Sequence, residues 1–171
     1  MTAIRRTTRE SSLPELNSKL RQAFEEYFQA RRLGDLIHEI VLSCETVTDR
    51  TDLGRIAAWL SGSPDTTDVL GLILTGQHLL WARIGEKSGT VVAGAALRNI
   101  RAKMYSDRFS KEQGLEISGY IGDAGERVTG RLALGPEPAA KQFVDAVIAA
   151  VKKANPPPKD RIIPWLKLFS R

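Results

Sequence analysis

The sequence predicts an α+β protein, mainly β. The expected plan is an antiparallel barrel or sandwich of about seven strands, with an N-terminal helix and a C-terminal capping helix. Three observations carry this. Leu115, Ile117 and Ile121 share one parity, as do Val128, Leu132 and Leu134, on either side of Gly122, Asp123, Ala124 and Gly125. Period-two alternation around a Gly-rich turn is the pattern of a hairpin with one buried face. Phe143, Val144, Val147, Ile148 and Val151 then recur at helical spacing behind Pro136 and Pro138, on one stripe. Short apolar runs punctuated by turn residues fill the centre of the chain.

Composition sets the bounds. The chain has 171 residues, 42% hydrophobic and 26% charged. That is ordinary for a globular domain, and long enough to bury a core without metal or disulfide. Cys44 is the one cysteine, so no internal disulfide can form. It sits in an apolar run and reads as a small buried hydrophobe rather than a nucleophile. The net charge of +5 permits contact with nucleic acid or anionic lipid but does not require it. Arg5, Arg6 and Arg9 are followed by no signal-type apolar region. No run approaches the roughly 18 apolar residues of a membrane span. The expected compartment is the cytoplasm.

Residues 1–11 are polar and basic, and read as a mobile arm. A helix is expected over 13–32. Ser12 and Glu15 form a capping box, and Pro14 fits the first turn. Leu13, Leu16, Leu20, Phe24 and Phe28 make its apolar stripe, with Tyr27 beside it. Arg31 and Arg32 suit the negative helix end, and Gly34 can close it in a left-handed conformation. Ile40, Val41 and Leu42 could continue a short helix, whereas Cys44 to Thr48 alternate and favour a strand. Residues 49–68 read as a long connection. Within it, 55–60 is a strand or one helical turn, and 61–65 is a turn cluster.

Strands follow at 69–75, 78–84, 90–95 and 97–105, divided by Gly76-Gln77 and by the turn 85–89. In the last of them Ile100, Ala102 and Met104 lie on one face, and Asn99, Arg101, Lys103 and Tyr105 on the other. A polar loop, 106–114, precedes the hairpin. After the helix at 138–153, Asn155, Pro156, Pro157, Pro158 and Lys159 form a stiff linker. The organisation is an arm and helix (1–36), a main domain (37–154), and a linker and tail (155–171).

The run Gly71 to Arg83 reads Gly-Leu-Ile-Leu-Thr-Gly-Gln-His-Leu-Leu-Trp-Ala-Arg. It resembles a segment of bacterial pleckstrin-homology (PH) and GRAM-type domains, where a strand ending in Leu-Thr precedes a short turn and an Arg-Leu-Ile strand. Leu97, Arg98, Asn99 and Ile100 resemble the strand that follows. The likeness spans roughly 39–154. It implies a PH-like fold serving as a binding platform for phosphoinositide headgroups, peptides or proteins, and rarely for catalysis. Headgroup-binding members present a lysine and paired arginines at the first strand turn. Here that region holds Arg50 and Arg55 among Asp49, Asp52, Asp65 and Asp68, which departs from the pattern.

No catalytic, cofactor-binding or metal-binding residue stands out, and no cofactor is expected. His78 sits at a tight turn and reads as solvated. His38 adjoins Glu39, but strand neighbours point to opposite faces. One cysteine and two distant histidines do not make a zinc site. Residues 85–89 contain Lys-Ser without the spacing of a phosphate loop. Two contact surfaces remain. Arg98, Arg101, Lys103, Arg108 and Lys111, with Tyr105 and Phe109, are candidates for a polyanion, as against a merely solvated strand face. By parity only Arg101 and Lys103 share a face, so nucleic acid is not the expected partner. Ile162, Ile163, Trp165, Leu166, Leu168 and Phe169, interleaved with Arg161, Lys167 and Arg171, can meet a partner protein or an anionic membrane. Folding back on their own domain, or onto a neighbouring subunit, is the first expectation for them. The functional expectation is a non-enzymatic PH-like binding or scaffolding module working through protein contacts or self-association. A peripheral anionic-lipid binder is the first alternative. A small hydrolase or transferase, with a polar pocket at His38 or His78, is the second.

Overall fold

Apolar side chains on both parities of a strand require cover on both faces of its sheet. The computed structural model describes residues 3–51, 65–107, 112–122 and 127–156, and such a sheet lies at its centre. Five strands pair antiparallel in chain order: β1 (Ala3–Glu10), β2 (Ile40–Thr51), β3 (Thr67–Thr75), β4 (His78–Gly85) and β5 (Gly89–Ala96). Leu72 and Leu74 of β3 face one way and Ile73 the other. Leu79 and Leu80 divide likewise on β4, and all five are buried.

Helix α1 (Ser18–Ala30) covers one face. Its Leu20, Phe24 and Phe28 pack on Ile73, Leu80 and Ala82. A second antiparallel sheet covers the other, made of β6 (Ile100–Ser106), β7 (Gln113–Tyr120) and β8 (Arg127–Leu134). Helix α2 (Pro138–Ala154) joins it there. Leu115, Ile117, Leu132 and Leu134 meet Phe143, Val144, Val147 and Val151 of α2 in one core with Cys44, Leu72, Leu74 and Leu79. The hairpin and the closing helix therefore form as the alternation and the stripe predict.

The α+β, mainly β class holds, with antiparallel sheets and both helices. The sheets are not closed into a barrel, and the described strands number eight rather than about seven. The chain leaves the first sheet after β5 through a 3-10 turn, Leu97–Asn99, where a continuous strand was expected. The Leu97 N–H donates to the Gln77 carbonyl at 2.8 Å. The Asn155 side-chain amide donates to the Leu97 carbonyl at 2.9 Å. These bonds fix a corner, so β6 starts a new sheet. Alternation on β6 also weakens at its end: Ile100 is buried, but Met104 is 45% exposed on this edge strand.

The N-terminal arm is a strand, against expectation. β1 is polar beyond Ala3 and Ile4, so no apolar period announces it. Most of its partners are polar too. Thr8 and Thr46 share a buried hydroxyl–hydroxyl hydrogen bond of 2.8 Å. Charges along an edge strand also discourage pairing with other chains.

The first helix is interrupted. Leu13–Glu15 is a 3-10 turn in which Ser12 N–H and Oγ both donate to the Glu15 carboxylate, at 3.0 and 2.7 Å. The chain then extends at Leu16, and Asn17 caps α1 by accepting from the Lys19 N–H at 3.0 Å. Glu45 of β2 causes the break, because its carboxylate accepts the Asn17 N–H at 2.6 Å. Arg32, with φ 54°, takes the left-handed position expected of Gly34. Gly34 instead opens a 3-10 turn, Gly34–Glu39, and Ile40 to Leu42 belong to β2. Residues 55–64, 123–126 and 157–171 lie outside the described residues, with the expectations made for them.

Close approach of α1 to β3 depends on Gly71. A Cβ there would lie 3.0 Å from Leu20 Cδ1 and 3.0 Å from Phe24 Cε2. Gly71→Val is expected to lower stability by about 1–3 kcal/mol through overpacking. A Cβ at Gly76, which opens the β3–β4 turn, meets nothing within 4 Å. Gly76→Ala should leave the urea midpoint within the error of the wild type, and equal losses in both variants would contradict this packing account.

Candidate functional site

The apolar core stops before the first sheet does. On the face turned to the second sheet, β3 runs Leu74, Leu72, Leu70, Asp68 and β2 runs Leu42, Cys44, Thr46, Thr48, Arg50. Arg6, Thr48 and Asp68 are register partners across three strands, and Arg83 pairs with Leu70. That end of the sheet is therefore polar on a face that is otherwise core. The second sheet opposes it with Ile117, Gly130 and Leu132. At Gly130 an added Cβ would meet only Ile117 Cγ1, at 3.8 Å. A cleft of about 420 Å³ opens between the sheets, walled by Leu70, Trp81, Val91, Ile117 and Leu132. Small-molecule sites have this size and this mixture of apolar wall and few polar groups.

The charges are organised around Asp68. Its Oδ2 accepts from Arg50 Nη1 at 2.6 Å and from Arg83 Nη2 at 3.2 Å. The side chains of Arg50 and Asp68 are 10% and 7% exposed. Arg50 also donates to the Asp65 carbonyl at 3.2 Å. Arg6, 11% exposed, gives Nη2 to Glu112 at 2.8 Å, while its Nε is buried with no hydrogen-bond partner. A buried donor left unmade costs about 1–3 kcal/mol, and more when the group is charged. Arg131 stands at the rim. Its guanidinium turns outward to Glu116 at 3.0 Å and over the Tyr105 ring at 5.3 Å.

Asp65 braces the neighbouring β4–β5 turn. Burial pushes its carboxyl up. Hydrogen bonds from the Ser88 hydroxyl and the Lys87 and Ser88 amides, with the charge of Arg83, outweigh this and hold it below the usual range. A Cβ on Gly85 would overlap Ser88 Oγ and Asp65 Oδ2, so the turn needs glycine.

The sequence-derived candidates are dispersed. Arg101 and Lys103 lie on the outer face of the second sheet. Arg98 sits apart in the 3-10 turn, lining a pocket of about 190 Å³ with Gln77, His78 and Leu97. Arg108 and Lys111 lie outside the described residues. So do Ile162, Ile163, Trp165, Leu166, Leu168 and Phe169. His38 is exposed. His78 is not the solvated turn residue expected: it is partly buried and its Nδ1 has no partner. Burial lowers its pKa, the Glu39 carboxylate opposes this, and Arg98 adds to the fall. The pocket beside it offers neither nucleophile nor carboxylate. Burial and nearby Glu10 push the Cys44 thiol up to about 12, which makes it inert as a nucleophile.

Sequence reasoning missed the cleft. Arg6, Arg50, Asp68 and Arg83 come from four strands, and only strand register brings them together. The available signal was the parity of Leu70, Leu72 and Leu74 with Asp68, which puts a carboxylate on the core face. Among the described residues no helix is long and apolar enough to cross a membrane. None of their His, Cys, Asp and Glu side chains group in threes to hold a metal ion. No family model, curated protein or solved structure matches this chain.

Asp68→Ala leaves the Arg50 charge buried beside a lost partner. The expected loss is about 3–5 kcal/mol in urea unfolding. Arg83→Ala removes a half-exposed partner and should cost about 1 kcal/mol or less. Comparable losses would mean that Asp68 does not anchor the buried pair.

His78 gives a separate pH signature. Its folded pKa lies below the ordinary value of about 6.5, so the unfolded chain takes up the proton first. Stability is then full above about pH 6.5 and falls as pH drops towards the lowered pKa. Urea midpoints at pH 7.5 and 5.5 should differ less for His78→Gln than for the wild type. An identical pH dependence in both would remove His78 from the account.

Proposed function

We propose that this chain is a non-enzymatic binding module that takes a small amphiphilic anion between its two sheets. The single observation that carries the reading is the Arg6 side chain, which lines a cleft that also holds Arg50, Arg83 and Trp81 and whose buried Nε has no hydrogen-bond partner among the described residues. A carboxylate, sulfonate or phosphate supplies the acceptor that this donor lacks. An aromatic or branched apolar body fits against Trp81, Leu70 and Ile117.

Among the described residues the cleft lining offers no His, Cys or Ser; its one hydroxyl, on Thr48, stands beside Asp68 in the strand register, and that carboxylate is committed to Arg50 and Arg83 rather than free to act as a base. That favours binding over turnover and counts against the hydrolase or transferase alternative at this site. The PH-like resemblance supports the same class, since such modules are binding platforms; an open sandwich with a closing helix is compatible with it. The protein-partner reading rests on strand edges, the first helix and residues 162–169, and the anionic-lipid reading on residues 162–169 and the Arg98 to Lys111 cluster; residues 162–169 lie outside the described residues and the cluster is dispersed. The cleft narrows the proposal to a small ligand.

Anilinonaphthalene sulfonate, an aromatic body with one sulfonate, is a suitable probe. Fluorescence titration of the full chain should show saturable one-to-one binding. Arg6→Met and Trp81→Leu should each weaken it about tenfold or more, the scale of one charge-assisted hydrogen bond or one aromatic wall. Arg101→Gln, on the outer face, should not change it. Near-UV circular dichroism must stay native throughout, because the dye also lights up on loosened cores. Non-saturable binding, or one affinity across all four proteins, would sink the reading.

A further inference from the structure

Strand register also builds a charged outer face on the second sheet, which has only Arg131 in common with the cleft. That face carries the row Lys103, Glu116, Arg131 and beside it the row Arg101, Ser118, Thr129. Arg127, paired with Tyr120, extends the face at one end. Among the described residues four cations thus share one three-stranded face with one carboxylate, an excess of three positive charges. Glu116 is divided between Lys103 at 2.8 Å and Arg131 at 3.0 Å. Arg101 and Arg127 make no ion pair with any described residue. Both cations that hold Glu116 still reach solvent, with Lys103 70% and Arg131 65% exposed.

We propose that this face binds single-stranded nucleic acid. Charge complementarity asks for a polyanion, and the aromatic residues choose among polyanions. Tyr120 is 55% exposed at the Arg127 end. Tyr105 lies under the Arg131 guanidinium at the other, 5.3 Å from ring centre to charge. Bases stack on exposed rings and on guanidinium planes, whereas polyphosphate and lipid headgroups have nothing to stack. Arg101 and Lys103 stand two residues apart on one face, about 6.8 Å along the strand. Neighbouring phosphates of an extended chain can each meet one of them. Ser118 and Thr129 line a shallow depression of about 580 Å³ between the cations and offer hydroxyls to sugar or base. Duplex DNA fits less well, because its major groove admits a helix or a two-stranded ribbon and this face has three strands. The sequence alone does not reach this point, because Arg127 and Arg131 join Arg101 and Lys103 only through the register of β6 to β8.

The test is fluorescence anisotropy of a labelled fifteen-nucleotide oligo(dT) with the full chain, at salt from 50 to 200 mM. Three neutralised phosphates give a slope of log affinity against log salt of about −2. Arg101→Gln with Arg127→Gln should weaken binding and bring the slope about 1.4 closer to zero. Tyr120→Ala should weaken it about fivefold or more at every salt concentration, the scale of one lost stack. Glu116→Gln should tighten binding, since it removes the one anion and releases Lys103 and Arg131. A merely structural Glu116 would not produce that gain. Arg6→Met, in the cleft, should leave oligonucleotide binding unchanged. Absence of binding at 50 mM salt overturns the proposal. Binding that ignores Tyr120, and that polyphosphate or anionic phosphatidylserine vesicles displace as well as oligo(dT) does, overturns it in favour of a generic polyanion or membrane surface. Weaker binding by Glu116→Gln overturns it as well.

Discussion

The first sheet is apolar on both faces, and the rest of the fold follows from that. Leu72 and Ile73 are consecutive and both fully buried, so neither face of β3 can meet water. One cover is a single helix, α1, which needs only the narrow strip over β3 and β4 where Gly71 lets it come close. The other face is five strands wide, and the three-stranded sheet with α2 does not cover all of it. The end left over is where Arg6, Thr48, Arg50, Asp68 and Arg83 replace leucine. The cleft is thus a consequence of unequal layers, with side chains suited to the water it admits.

A polar network, not apolar contact, holds the edge of this arrangement. The Thr8 N–H donates to Glu137 at 2.8 Å, and the Gly135 N–H donates to Thr8 Oγ1 at 2.7 Å. Gly135 and Glu137 lie between β8 and α2, so these two bonds tie β1 to the start of the closing helix. Arg6 adds a third link, to Glu112 just before β7. Each is a hydrogen bond between segments more than 100 residues apart in sequence. Such pairings are invisible to any local pattern, which is why β1 reads as a loose arm until its partners are known.

Legibility followed the apolar period. Leu115, Ile117, Leu132 and Leu134, and the stripe from Phe143 to Val151, are where alternation and helical spacing place them, because burial of one face decides those elements. The break in the first helix was not legible. Its capping box is real, but Glu45, far along the chain, captures Asn17 and starts the helix later. The corner at Leu97 was hidden for a similar reason: Asn155 and Gln77 fix it from elsewhere. The site suffers most from this blindness. Arg101 and Lys103 share a parity on β6, and Arg127 and Arg131 on β8, but only the register of β6 to β8 puts the two pairs on one face.

Burying Arg50 and Asp68 is a poor way to stabilise this protein. A buried ion pair recovers little more than the cost of drying its two charges, and well-packed apolar residues of similar volume often do better. The surroundings would accept them: Leu70, Trp81, Ile117 and Leu132 already bring apolar surface to the same cleft. Extending the core by one more row on β2 and β3 would close the sandwich and remove the buried orphan at Arg6 Nε. The chain instead keeps three guanidinium groups and one carboxylate at this end, each drawn from a different strand. Packing does not ask for them there and stability gains little from them. The proposed anion site would give their place a reason.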